Sequence, residues 1–169
     1  LLLGSLFVLI TLSIGFRSVK QAVVSLTPIL LVVVWLYGLI YAFGYSLNIV
    51  TVTIATISLG VGIDYCIHVT ERYREEREKG GDHKKALQGV GGACALALVG
   101  SAISDMAGFS IIATSSMGLF NTFGLFSAIM ILLSLVASMV ITSAGLGILQ
   151  KTLEDGKNEK RETTTSSSD

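Results

Sequence analysis

Charge is what this sequence has least of, and what little there is falls in a pattern. Only 14% of the 169 residues are charged, against roughly 25% in soluble domains. Between Gln21 and Thr70 the one charged side chain is Asp64, and between Ala86 and Gln150 it is Asp105. With 51% hydrophobic residues and a mean hydropathy of +0.73, this excludes an ordinary soluble domain and points to a membrane protein. The 12 basic and 12 acidic residues cancel, so no net charge draws the chain to nucleic acid.

Other scarcities narrow the chemistry. The two cysteines, Cys66 and Cys94, lie in apolar segments without metal-ligand spacing and read as small apolar fillers. There is no nucleotide-binding loop, no metal cluster and no nucleophile set beside a base, which argues against an enzyme and against any cofactor beyond a coupling ion, a proton or sodium. Pro28 is the one proline, and it is expected to kink or start the helix that carries it. The chain opens with Leu1 already inside an apolar run, without a basic leader or a cleavage site, and so reads as a piece of a longer protein rather than a signal peptide.

What is present is helix-forming apolar sequence. A bilayer core takes roughly 20 apolar residues per helical span, and five candidates occur, at about 1–16, 22–43, 48–69, 93–113 and 122–149. The predicted fold is all-α, a multi-pass transmembrane helix bundle of five spans, with the first short at its start. Before the fourth span, "DHKKALQGVGG" mixes charge with apolar residues and is expected along the interface. Lys and Arg fall in alternate connections, at 17–20 and 72–85 and after Gln150, while "GYSLN" and "TSSMGLFN" carry none. The positive-inside rule then places the C-terminus in the cytoplasm of a cell-membrane protein. Trp35, Tyr37, Tyr41 and Tyr45 gather toward the outer end of the second span as lipid anchors.

In "TERYREEREKGGDHKK", the pairs Arg72 with Glu76, Arg74 with Glu78 and Glu75 with Lys79 have helical spacing, and Gly80 and Gly81 form a stop. The third helix should continue into water and end there. The tail from Glu154, "EDGKNEKRETTTSSSD", has no apolar periodicity, so residues 1–150 form the membrane domain and 151–169 a disordered cytoplasmic tail.

The two isolated acids carry the functional expectation, because an ionisable residue within a span costs about 2.5–3.5 kcal/mol on insertion scales. Asp64 shares a helical face with Thr53, Thr56, Gly60 and His68 and should face protein or water rather than lipid. On the fourth span Cys94, Ala97, Ser101, Asp105 and Gly108 form a similar stripe. At a rise of about 1.5 Å per residue, Asp64 and Ser101 lie roughly 12 Å from the cytoplasmic ends of their helices and Asp105 roughly 18 Å. The two helices can therefore build one polar cluster. Neither acid has a Lys or Arg within the spans. Such a group can carry a proton, bind a small cation, or await a basic residue from elsewhere. One charge crossing the membrane potential is worth about 2.3 kcal/mol per 100 mV, enough to shift a two-state equilibrium roughly fifty-fold. His68, close to the interface, reads as a snorkelling polar end.

The stretch "GVGIDY", followed by "ERYREE", resembles the Gly-x-x-x-Asp-Tyr signature of the resistance-nodulation-division (RND) exporters, and most closely their MMPL branch of hydrophobe and lipid exporters. "GSAISDMAGFSIIATSS" and "LFNTFGLFSAIMILLSL" are similar to that branch's following helices. The likeness covers about residues 1–150. It implies one half of an exporter, its C-terminal membrane block, whose partners are the bilayer, the remaining half of the same transporter and a hydrophobic or lipid substrate; a homo-oligomer is left open. It also implies that Asp64 accepts the driving proton, with Tyr65 its hydrogen-bonding neighbour; the shared depth and polar faces of the two helices add Ser101 and Asp105 to that relay. Gly60 and Gly108 become the residues where helices approach closely. One departure stands out: Ser104-Asp105 replaces the branch's usual Thr-Thr. Two other functions share this five-helix block, a lipid- or sterol-sensing module and a translocation subunit like SecD or SecF.

Overall fold

The computed structural model describes residues 2–16, 18–80 and 82–149. It contains five helices and no strand among the described residues: α1 (Leu2–Phe16), α2 (Val19–Ala42), α3 (Ile49–Glu78), α4 (His83–Ala113) and α5 (Gly118–Leu149). Four of them, α2 to α5, are long and apolar enough to cross a membrane. The first expected span, α1, is a helix of 15 residues, about 22 Å long at 1.5 Å per residue, which falls short of a core of roughly 30 Å. The expected tail at 151–169, and the Gly81 half of the predicted stop, lie outside the described residues.

Much of α3 is Thr, Ile and Val, which are modest helix formers in water. In hydrocarbon the comparison changes, because every backbone N–H and C=O must be satisfied within the segment. The helix begins at a reciprocal cap: Asn48 Oδ1 accepts from the N–H groups of Val50 and Thr51, while Asn48 N–H donates to Thr51 Oγ1 at 2.9 Å. It runs on past the apolar segment to Glu78 and stops where Gly80 takes φ +80°. Along the charged end, Arg72 pairs with Glu76 at 2.7 Å and Arg74 with Glu78 at 3.7 Å, as their spacing predicts. Lys79 lies 3.9 Å from Glu76 rather than pairing with Glu75, which Arg72 holds at 3.0 Å. Pro28 neither starts nor ends α2; it is buried within it.

Packing centres on α3, which contacts all four other helices. Its face of Ile54, Ala55, Ser58, Leu59, Gly62, Cys66, Val69 and Tyr73 is buried against them. That face carries a seam of hydroxyls that the sequence reading did not identify. Ser25 of α2 and Thr70 of α3 share a hydrogen bond of 2.9 Å, Thr142 Oγ1 of α5 donates to Cys66 Sγ at 3.5 Å, and a Cβ at Gly62 would lie 3.2 Å from Ser134 Oγ. Small residues and hydroxyls are the usual adhesive between helices that lack a hydrophobic drive to associate.

The helix α4 is built from two rods. A wider π-helical turn at Val90–Cys94 joins them, and Gly92 leaves helical geometry at φ −88°, ψ −121°. This break falls where the sequence separates an interfacial segment from the fourth span, although the helix itself starts at His83. The first rod is fastened to α3: Gly89 lies so close to Glu76 that a Cβ would meet its side chain, and Tyr73 Oη is 2.8 Å from His83 Nδ1. Beyond Cys94 the second rod leaves α3 and runs along α5. There Gly124 lets the backbone of Phe109 and Ala113 come into contact, and Asn121 Nδ2 donates to the Ala113 carbonyl. The divergence of α4 from α3 opens a cleft.

Candidate functional site

The cleft has a volume of about 470 Å³ and lies between α3 and the second rod of α4. Asp64, Tyr65, Ser101 and Asp105, the four relay residues expected from sequence, all line it. Asp64 reaches it through helical spacing: Thr53, Thr56, Gly60, Asp64 and His68 are all exposed, so the stripe lies on the side of α3 opposite its packed face. Across the cleft, Ala97, Ser101 and Gly108 are exposed and Asp105 half-buried, giving α4 a matching stripe. Two helices thus turn their small and polar faces toward one open space.

The tyrosine does not do what its neighbour in sequence suggests. Tyr65 is 3% exposed, and its hydroxyl donates to Asp105 Oδ2 at 3.3 Å, across to α4, rather than to Asp64. The reason is geometric: adjacent residues on a helix point about 100° apart, so Tyr65 cannot fold back onto Asp64 and reaches the facing helix instead. The residue that departs from the family's usual Thr-Thr therefore supplies the acceptor.

The close approaches also fall elsewhere than expected. Gly60 and Gly108 have nothing within 4 Å of a notional Cβ, whereas Gly62, Gly89, Gly124 and Gly145 lie against neighbouring helices. Sequence could have flagged Gly62, since it lies two residues past Gly60 and shares the face of Ser58, Cys66 and Val69. Ser104, beside Asp105, is exposed and not part of the cleft wall.

Toward the charged end of the bundle the lining continues through His68, Glu71, Arg72 and Glu75. The sequence reading treated these as a snorkelling residue and a solvated helix end; the structure makes them the mouth of the same cleft. Cys94, at the break in α4, lines the cleft near this charged end, its thiol 3.8 Å from the His68 carbonyl. Among the described residues no three His, Cys, Asp or Glu side chains gather as a metal set. Two carboxylates, one phenol and a charged mouth suit a proton or a weakly held ion that exchanges with water.

A bundle of long apolar helices holding a pair of acids in a cleft that opens at its charged end defines a multi-pass membrane domain built around an ionisable site. The sequence model of the MMPL family matches residues 1–165, and the chain belongs to that family, a branch of the RND superfamily. It is 29% identical over 141 residues to a protein of Methanocaldococcus jannaschii named as a membrane protein, a match covering 83% of this chain and 36% of the relative. It is 40% identical over 75 residues to the hopanoid transporter HpnN of Rhodopseudomonas palustris, covering 44% of this chain and 9% of that transporter. The chain thus spans about a third or less of the length of these relatives.

Proposed function

We propose that this chain is the membrane half of an exporter of hydrophobic or amphiphilic, lipid-like molecules, driven by the proton-motive force, with Asp64 as the proton acceptor. The observation that carries the reading is the meeting of two acids from separate helices in one cleft, with Tyr65 bridging to Asp105. A carboxylate left against lipid is costly, and no Lys or Arg of the apolar segments neutralises either acid. The remaining half of the same transporter then covers the open stripes of α3 and α4. Binding a proton at Asp64 removes its charge and lets the two faces close; losing it favours a hydrated, open cleft. That is a two-state element whose balance a proton can shift.

The charged end faces the cytoplasm on this reading, following the placement of Lys and Arg. The similarity to a hopanoid transporter supports a polycyclic or long-chain lipid as cargo. The test is proton uptake and lipid transfer by the full-length protein in vesicles, with an internal pH dye, for the wild type and Asp64→Asn. Export requires both activities to vanish together in the variant while its amount in the membrane is unchanged. Lipid binding without proton uptake in the wild type would instead identify a sensing module and overturn the proposal.

A further inference from the structure

We infer that His68 is the proton relay between the acid pair and the charged mouth of the cleft, a deepening that rests on the proton-coupled reading above. The sequence alone makes His68 a snorkelling residue at the interface. Its place in the structure is different, because it lines the same cleft as Asp64 and Asp105 on one side and Glu71 and Glu75 on the other. Along α3 it stands four residues from Asp64 and three from Glu71, about 6 Å and 4.5 Å of helical rise. Water in the cleft is the link that the relay requires on either side of the imidazole. A cleft of 470 Å³ has room for roughly fifteen waters at about 30 Å³ each.

The chemistry of the lining leaves His68 as the group suited to the task. The titratable and charged side chains that line the cleft with it are Asp64, Tyr65, Glu71, Arg72 and Glu75 from α3 and Cys94 and Asp105 from α4, and the Tyr65 phenol is engaged by Asp105. Arg72 keeps its proton at any pH the cell reaches, and its guanidinium is engaged by Glu75 at 3.0 Å and Glu76 at 2.7 Å. A thiol is a poor proton acceptor at neutral pH. The glutamates stand at the mouth, in contact with bulk water. Imidazole is the side chain that both takes and releases a proton near neutrality. It accepts the proton leaving Asp64 on one ring nitrogen and gives up the proton on the other to water at the Glu71–Glu75 rim.

The experiment uses the full-length protein in vesicles and compares the wild type, His68→Ala, His68→Gln and Asp64→Asn. Proton flux in both His68 variants should fall about tenfold or more, given the usual worth of a positioned acid-base group. Free imidazole, small enough to enter the open cleft, should restore flux to His68→Ala in proportion to its concentration and do nothing for Asp64→Asn. A merely structural role for His68 predicts no such rescue. Flux within twofold of wild type in His68→Ala, or loss that imidazole leaves unchanged, overturns the relay while Asp64→Asn stays inactive. Full coupling in Asp64→Asn would remove the proton-coupled reading itself, so the two failures are distinguishable.

Discussion

The helix α3 has two polar faces, and they are polar in different ways. One is closed against α2 and α5 and is hydroxyl-rich: Ser58 is buried in it, Thr70 bonds Ser25, and Ser134 and Thr142 of α5 lie against Gly62 and Cys66. The other is open and carries Asp64 and His68. A hydroxyl can donate to another hydroxyl, a thiol or a carbonyl within the bundle, so it survives in a dry interface at little cost. A carboxylate without a cation partner has no such outlet and needs water or a proton. The same helix thus separates adhesion from ion chemistry by rotation about its axis.

The largest break in this comparison comes from removing the acid. Asp64→Asn keeps the shape of the open face and should lose essentially all proton-driven transport in vesicles, with membrane levels unchanged. The converse exchange puts an acid into the closed face. Ser58 is fully buried and its hydroxyl has no hydrogen-bond partner, so Ser58→Asp should cost about 3 kcal/mol of stability, the penalty for a charged residue at mid-span. Thermal unfolding in detergent reads this out, and an unshifted midpoint would show that the seam is wetter than its burial indicates.

Smaller effects sharpen the distinction. Tyr65→Phe removes the hydrogen bond that Tyr65 donates to Asp105; a loss of about 1 kcal/mol should appear as a several-fold drop in transport rate, with less change in stability than Ser58→Asp. A larger stability loss than transport loss would reassign Tyr65 to the core. The smallest effect belongs to the seam: a double-mutant cycle of Ser25→Ala and Thr70→Ala should give a coupling of about 0.6 kcal/mol, the average for hydrogen bonds between membrane helices, with transport unaffected. Coupling to transport would mean that the closed face moves during the cycle.

Reading from sequence succeeded where the physics is one-dimensional. The hydrophobic run lengths locate α2 to α5 to within a few residues, apart from the early start of α4 at His83, because crossing hydrocarbon demands a minimum helix length regardless of neighbours. The stop at Gly80 follows from local preference for φ > 0. The gathering of Asp64, Ser101 and Asp105 in one cleft was also legible, since helical periodicity and rise put them at comparable depths on polar stripes, while Tyr65 was named by the resemblance alone. The partner of Tyr65 was not, because contact depends on how α3 and α4 cross, and no single-helix pattern contains that angle. For the same reason Gly60 reads as the packing glycine although Gly62 is the one against Ser134.

The sequence by itself therefore determined that this is a polytopic helical membrane protein, that the segments of α2 to α5 are long and apolar enough to cross, and that two acids lie where acids are expensive. Each of these depends on the transfer of a residue from water to hydrocarbon, a property of the residue and its neighbours along the chain. The tertiary structure alone decided that α4 breaks at Gly92 and diverges from α3, that the resulting cleft joins Asp64 and Asp105 to His68 and the Glu71–Glu75 mouth, and that a hydroxyl seam holds the opposite side closed. Those outcomes depend on which helix faces which, and that is set by close packing of small residues between helices distant in sequence.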